Sequence, residues 1–232
     1  MIVEDTFLKE SFISKWSISN FLPEEMVSKL TLCRYDQGEL VIDSKDNMQN
    51  LHFLVMGKVK AYTINQEGKV FLFKFFNPFS VFGELEYVTK QFKHPSFYLE
   101  TMNESYVLKI SWSDLSQLTP NNKLKLMKYL NELLAQKLTL TTDLLWLFVY
   151  TSLEERLARY LLEVSNKVGS FQPSYTVKII ELAQLLGTSN RHLLRTIKKM
   201  TDQGLIMKEK NEIKIINEIK LKEMVIKNLY EL

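Results

Sequence analysis

The segment Leu182-Ala183-Gln184-Leu185-Leu186-Gly187-Thr188-Ser189-Asn190-Arg191-His192-Leu193-Leu194-Arg195-Thr196-Ile197-Lys198-Lys199-Met200 breaks into two short helices at Gly187-Thr188-Ser189. Ala183 is small where a larger side chain would hold the pair apart, and Gly187 permits the tight turn. Leu182, Leu186, Leu193 and Ile197 supply a small shared core, and Ser189 suits the N-cap of the second helix. That helix carries four positive charges and no acid between Asn190 and Met200. Arg191, Arg195 and Lys198 recur at i, i+4 and i+7, so they share one face opposite the apolar contacts. Such a stripe suits a helix laid in a major groove, where arginine pairs with guanine edges and lysine with phosphate. The candidate DNA contacts are Ser189, Asn190, Arg191, His192, Arg195, Lys198 and Lys199. Downstream, Gly204 to Met207 and Glu212 to Ile216 flank a polar Lys208-Glu209-Lys210-Asn211 turn, which predicts a wing-like hairpin.

Upstream of this unit, a helix is expected from about Leu153 to Lys167, ended by Gly169, with a short strand at Tyr175-Thr176-Val177. Before that, a helix from about Asn121 to Tyr150 shows Leu126, Leu130, Leu133, Lys137, Leu140, Leu144 and Leu147 at 4-3 spacing. The leucines predict a dimer seam, with Lys137 as its polar interruption; the alternative is that this face packs on its own domain. From about Leu32 to Ile110 the period changes to that of short strands rich in aromatic and β-branched residues. Phe71, Phe73 and Phe75 alternate and are expected to place their rings on one face. Gly38, Gly57, Gly68 and Gly83 punctuate these runs, and an antiparallel barrel or sandwich is the economical reading.

Composition narrows the function classes. The net charge of +3 divides as −1 over residues 1–150 and +4 over residues 151–232, so the basic excess lies with the helix pair. Of five arginines two lie on the second helix, and none lies between Arg34 and Arg156. The acidic start and the absence of a long apolar run predict a cytoplasmic protein with no membrane partner. One cysteine, Cys33, excludes an intrachain disulfide framework and a four-cysteine metal or iron-sulfur site, and it reads as a small buried residue. No phosphate-binding glycine loop, metal-ligand cluster or nucleophile elbow is present, so an enzyme is not expected.

The order barrel, long helix, winged helix-turn-helix resembles the Crp/Fnr family of bacterial regulators over nearly the whole chain. The resemblance is carried by Gly38, Gly57, Gly68, Phe82-Gly83-Glu84, the block Leu182 to Ser189, and Asp202-Gln203-Gly204-Leu205-Ile206. The Asn190 to Leu194 run suggests the YeiL-like branch. The resemblance implies an α+β chain with a cyclic-nucleotide-binding-type barrel over residues 1–120, a dimerisation helix over 121–150 and a winged helix-turn-helix over 151–232. It implies a homodimer on an inverted-repeat operator in double-stranded DNA, with RNA polymerase as a further partner. In nucleotide-binding members an arginine follows Phe-Gly-Glu by about ten residues and clamps the cyclic phosphate; here His94-Pro95-Ser96 stand at those positions. The candidate effector pocket is therefore Phe82, Gly83, Glu84, Lys93, His94 and Ser96, with Lys93 as a substitute cation. Cyclic AMP is not expected as effector, and Glu84 is read as shaping a turn and capping a helix. Haem sensing would need His52, His94 or Cys33 as ligand, so no cofactor is expected. Typical members read Ser-Arg-Glu-x-x-x-Arg where this chain reads Ser189-Asn190-Arg191-His192-Leu193-Leu194-Arg195, so the operator is expected to differ from the common one. Sequence-specific transcription regulation is the expected function; the alternative is a ligand-binding or scaffolding module whose winged domain binds protein.

Overall fold

Strand β3 (Asn50–Met56) buries both of its faces, Leu51, Phe53 and Val55 on one side and His52 and Leu54 on the other, which explains its nearly continuous apolar run. It is the spine of the N-terminal half in the computed structural model, which describes residues 1–45, 47–68, 70–89, 97–168, 174–176, 178–210 and 212–226. The chain divides into two compact units, Met1–Thr139 and Leu140–Leu232.

The first unit opens with α1 (Thr6–Lys15) and α2 (Glu24–Val27), then strands β1 (Thr31–Tyr35) and β2 (Leu40–Ile42). After β3 come β4 (Val59–Ile64), β5 (Val70–Phe76), β6 (Ser80–Phe82), α3 (Glu84–Thr89), β7 (Tyr98–Thr101), β8 (Ser105–Ser111) and α4 (Trp112–Leu115). Two antiparallel four-stranded sheets result, in the orders β1-β8-β3-β6 and β2-β7-β4-β5. Leu54, Phe82 and Val107 of the first sheet meet Val41, Val59, Ala61 and Leu99 of the second. The opposite face of the first sheet is covered by Phe12, Ile18, Phe21, Leu22 and Met26, joined by Leu126 and Leu130 of the long helix α5 (Pro120–Tyr150). The unit is therefore three layers, helices on sheet on sheet. Trp16 fastens the outer layer by donating its Nε1–H to the Val55 carbonyl at 2.9 Å.

One expectation changes here. Leu126 and Leu130 are wholly buried in their own unit and Leu133 packs against the same core, so these leucines are not a dimer seam. The alternative holds for this half of the row, because the first sheet leaves an apolar face that must be covered. Leu140 is half exposed, while the side chains of Leu144 and Leu147 lie outside the described residues. On β5, the residue turned to the core is Leu72, at 3% exposure, and Phe71 faces water. The β4–β5 register shifts between Ala61 and Tyr62, a bulge that period-2 reasoning does not anticipate. Phe73's side chain lies outside the described residues.

The second unit contains α6 (Leu153–Val168), β9 (Ser174–Thr176), α7 (Ile179–Leu185), α8 (Asn190–Asp202), β10 (Ile206–Glu209), β11 (Glu212–Ile215) and α9 (Glu218–Ile226). Strand β11 pairs with β10 on one side and β9 on the other, making a three-stranded antiparallel sheet. Its core joins Leu157, Ala158 and Leu161 of α6 to Leu182, Leu193, Ile197, Met200, Ile213 and Leu221. Cys33 is a buried free thiol on β1. Among the described residues no helix is long and apolar enough to cross a membrane.

His52 faces the interior between the two sheets, and among the described residues its Nδ1 has no hydrogen-bond partner. Burial, and then the nearby Lys109 charge, hold its pKa at about 3 against an ordinary 6.5. The unfolded chain takes up a proton below pH 6.5 that the folded state refuses. Stability from this source is thus complete above that pH and lost as pH falls toward the folded value. Between about pH 6 and pH 4, wild type should lose about 1.4 kcal/mol more per pH unit than His52→Leu. Denaturant unfolding of both at several pH values reads this directly; parallel pH profiles would contradict it.

Candidate functional site

Helix α8 is positioned by what it buries. Leu193, Thr196, Ile197 and Met200 are all at most 4% exposed, and they recur with the helical period so that one side of α8 faces the core of the unit. Ala183 on α7 is 1% exposed, allowing close approach. Between the helices the Gly187 N–H donates to the Gln184 carbonyl and Thr188 N–H to the Ala183 carbonyl. Gly187 has φ 62°, a left-handed conformation that glycine adopts at least cost. Ser189 accepts from the His192 backbone N–H at 3.2 Å, capping the helix. Residues Ser189, Asn190, Arg191, His192, Arg195, Lys198 and Lys199 are therefore all on the exposed side.

Their environments differ. Lys199 is anchored to α6, with its Nζ 2.7 Å from a Glu154 carboxylate oxygen. The hydrogen bond from Lys199 holds the Glu154 carboxyl below the usual carboxylate range. His192 Nδ1 lies 3.3 Å from Thr188 Oγ1, close to the cap. Arg191, Arg195 and Lys198 remain as the exposed stripe. Beside them stands an exposed residue that charge-based reading passed over, Leu194, at 44% exposure. Strands β10 and β11 form the expected hairpin, braced by Lys214 and Glu209 at 2.6 Å. Lys208 and Lys210 are exposed at its tip.

In the first unit the Phe82-Gly83-Glu84 corner is built around close approach. Gly83 has φ 86°, and a Cβ there would lie 2.5 Å from the Asn50 carbonyl oxygen, so glycine is required. Phe82 is 3% and Glu84 5% exposed. Glu84 is the first residue of α3, and its carboxylate has a specific partner. Lys137 Nζ is 2.5 Å from Glu84 Oε1 and donates to the Val81 carbonyl at 2.7 Å, passing 5.3 Å from the centre of the Phe82 ring. Lys137 continues the row of Leu126, Leu130 and Leu133, so the polar interruption in that row is an inward-pointing cation. Glu86, two residues on, is 4% exposed, and burial followed by the neighbouring Glu84 charge pushes its pKa up. Lys93, His94 and Ser96 lie outside the described residues.

Residues 32–122 match the cyclic nucleotide-binding domain family and residues 155–224 the Crp-like helix-turn-helix domain family. The chain is 26% identical over 191 residues to the "Probable transcriptional regulator flp" of Lacticaseibacillus casei, covering 82% of this chain and 86% of that protein. It is 23% identical over 184 residues to the cAMP-activated global transcriptional regulator CRP of Haemophilus influenzae, covering 76% and 81% of the two. Among solved structures, the c-di-GMP responsive global regulator CLP of Xanthomonas campestris superposes with a TM-score of 0.75 at 19% identity, over 84% of this chain and 97% of that one.

Proposed function

Because the chain belongs to the Crp/Fnr family of transcription regulators, with a helix-turn-helix DNA-binding domain, we propose that it acts as a homodimer that reads an inverted-repeat operator and does not depend on cyclic AMP. The observation that carries the DNA reading is the exposed stripe of Arg191, Arg195 and Lys198 on a helix whose other face is fully buried. A helix so anchored offers guanidinium groups to base edges with little loss of conformational freedom. The domain plan is a sensor domain over about 1–120, a dimerisation helix and a DNA-binding domain from about 151. RNA polymerase is a further partner in this reading, the protein works in the cytoplasm, and no catalysis is assigned to it.

The dimer seam is moved to a neighbouring face of α5. Leu124, Leu138 and Leu145 are 71%, 68% and 61% exposed. With Met127, Asn131, Leu134 and Thr141 they follow an unbroken 3-4 spacing from 124 to 145. This face lies about a quarter turn round the helix from Leu126 and Leu130. Asn131 stands at a heptad position where a buried polar residue sets register and oligomer state.

Independence from cyclic AMP rests on Glu84, whose carboxylate is already held by Lys137, and on the absence of arginine between Arg34 and Arg156. The residues present do not fit the nucleotide: the ribose-facing carboxylate is paired internally, and no guanidinium fork is offered to a phosphate.

Arg195→Ala should weaken binding by roughly 1 to 3 kcal/mol and relax preference at one base pair per half-site. Lys198→Ala should weaken specific and scrambled duplexes alike and flatten the salt slope. Equal, sequence-independent losses for both would overturn base reading. Leu138→Lys should give a folded monomer by sedimentation, whereas Leu130→Lys should destabilise the first unit; a fully dimeric Leu138→Lys would overturn the seam. Saturating cyclic AMP should leave the melting temperature unchanged, and a clear rise would overturn the nucleotide independence.

A further inference from the structure

On α8, Leu194 lies within the patch of groups assigned to DNA. Asn190 and Lys198 stand four residues either side of it and Arg191 three residues before, so these three are its neighbours on the helix surface, with Arg195 a further step round the same exposed side. Asn190, Arg191, Arg195 and Lys198 are exposed, and Leu194 is 44% exposed although Leu193 beside it is completely buried. A single leucine on a protein surface ordinarily needs no explanation. One flanked by an arginine, a lysine and an asparagine is different, because a nucleic acid held by those groups lies over it.

A leucine pressed against a polar base edge would strip water from donors or acceptors without replacing their hydrogen bonds, at a cost in affinity. The major-groove edge carries one apolar group, the 5-methyl of thymine. From this position and this chemistry, and resting on the DNA-binding reading above, we infer that Leu194 is a specificity-determining residue that packs on the methyl group of one thymine in each half-site. Arg191 and Arg195 then select their bases by hydrogen bonds, while Leu194 selects its base by shape and by the absence of a polar group. A tract read by charge alone would leave that base pair free; Leu194 makes it a T·A pair.

The test begins with duplexes selected from random sequence by the wild-type protein. Each thymine of the selected half-site is replaced in turn by deoxyuridine, which removes the methyl and leaves every hydrogen-bonding group in place. At one step, wild type should bind about fourfold less tightly for each substituted half-site, the effect of one methyl leaving an apolar contact. Leu194→Ala should be indifferent to uridine at that step and unchanged in its response at other thymines. Its melting temperature should match wild type, because the side chain is largely outside the core. An operator without thymine facing the helix, uridine neutral at every step, or the same sensitivity in Leu194→Ala would overturn the inference and leave DNA binding standing. A wild type that selects no sequence would overturn the base-reading proposal, and this inference with it.

Discussion

Everything proposed for the second unit depends on the burial of one side of α8. Leu193, Thr196, Ile197 and Met200 are packed into a core shared with α6, α7 and the wing sheet. With 3.6 residues per turn, that leaves no choice about which residues face out. The tight turn at Gly187 and the cap at Ser189 fix where the helix begins, and so which residues stand at its first exposed turn. A core substitution that rotated α8 by even one residue would exchange Arg195 for a neighbour of opposite character. The specificity of the exposed patch is thus held by apolar side chains that touch no ligand, as expected when a site is built on a rigid element.

Helix α5 shows the same logic with two claims on one element. One row, Leu126 and Leu130 continuing to Lys137, is consumed by the first unit. The other row, Leu124 to Leu145, is left with exposed leucines and is the side assigned to a second copy. Lys137 ties the helix to the Phe82-Gly83-Glu84 corner through Glu84 and the Val81 carbonyl. The Phe82-Gly83-Glu84 corner, part of the candidate effector pocket, is thus bound to the helix that the proposed dimer uses.

Much of this was legible in the residues. The helix-turn-helix was readable because small, apolar and capping residues occur in an order that few other structures need: Ala183, Gly187, Ser189, then Leu193 and Ile197. The antiparallel strands were readable from aromatic and β-branched runs. The side of α5 that is buried was not, because leucines at heptad spacing look the same whether they meet a partner or their own sheet. That choice is made by the uncovered face of Leu51, Phe53 and Val55, a tertiary fact. For the same reason Lys137 gave no sign of its target Glu84, more than fifty residues away in sequence. Nor does the sequence show that Lys199, one of the candidate DNA contacts, is held by Glu154 on α6. Leu194 carries no signal of its own in the sequence, because an apolar residue inside a charged stripe looks like any other surface leucine.

The central claim is that the exposed face of α8 enters the major groove, twice per dimer. Guanine N7 methylation lies in that groove and is blocked where protein covers it. Protection from dimethyl sulfate on a selected duplex should appear as two patches about 34 Å apart, one helical turn, related by the operator's twofold axis. Protection confined to one patch, or none at guanine N7 while the duplex is bound, would contradict the account.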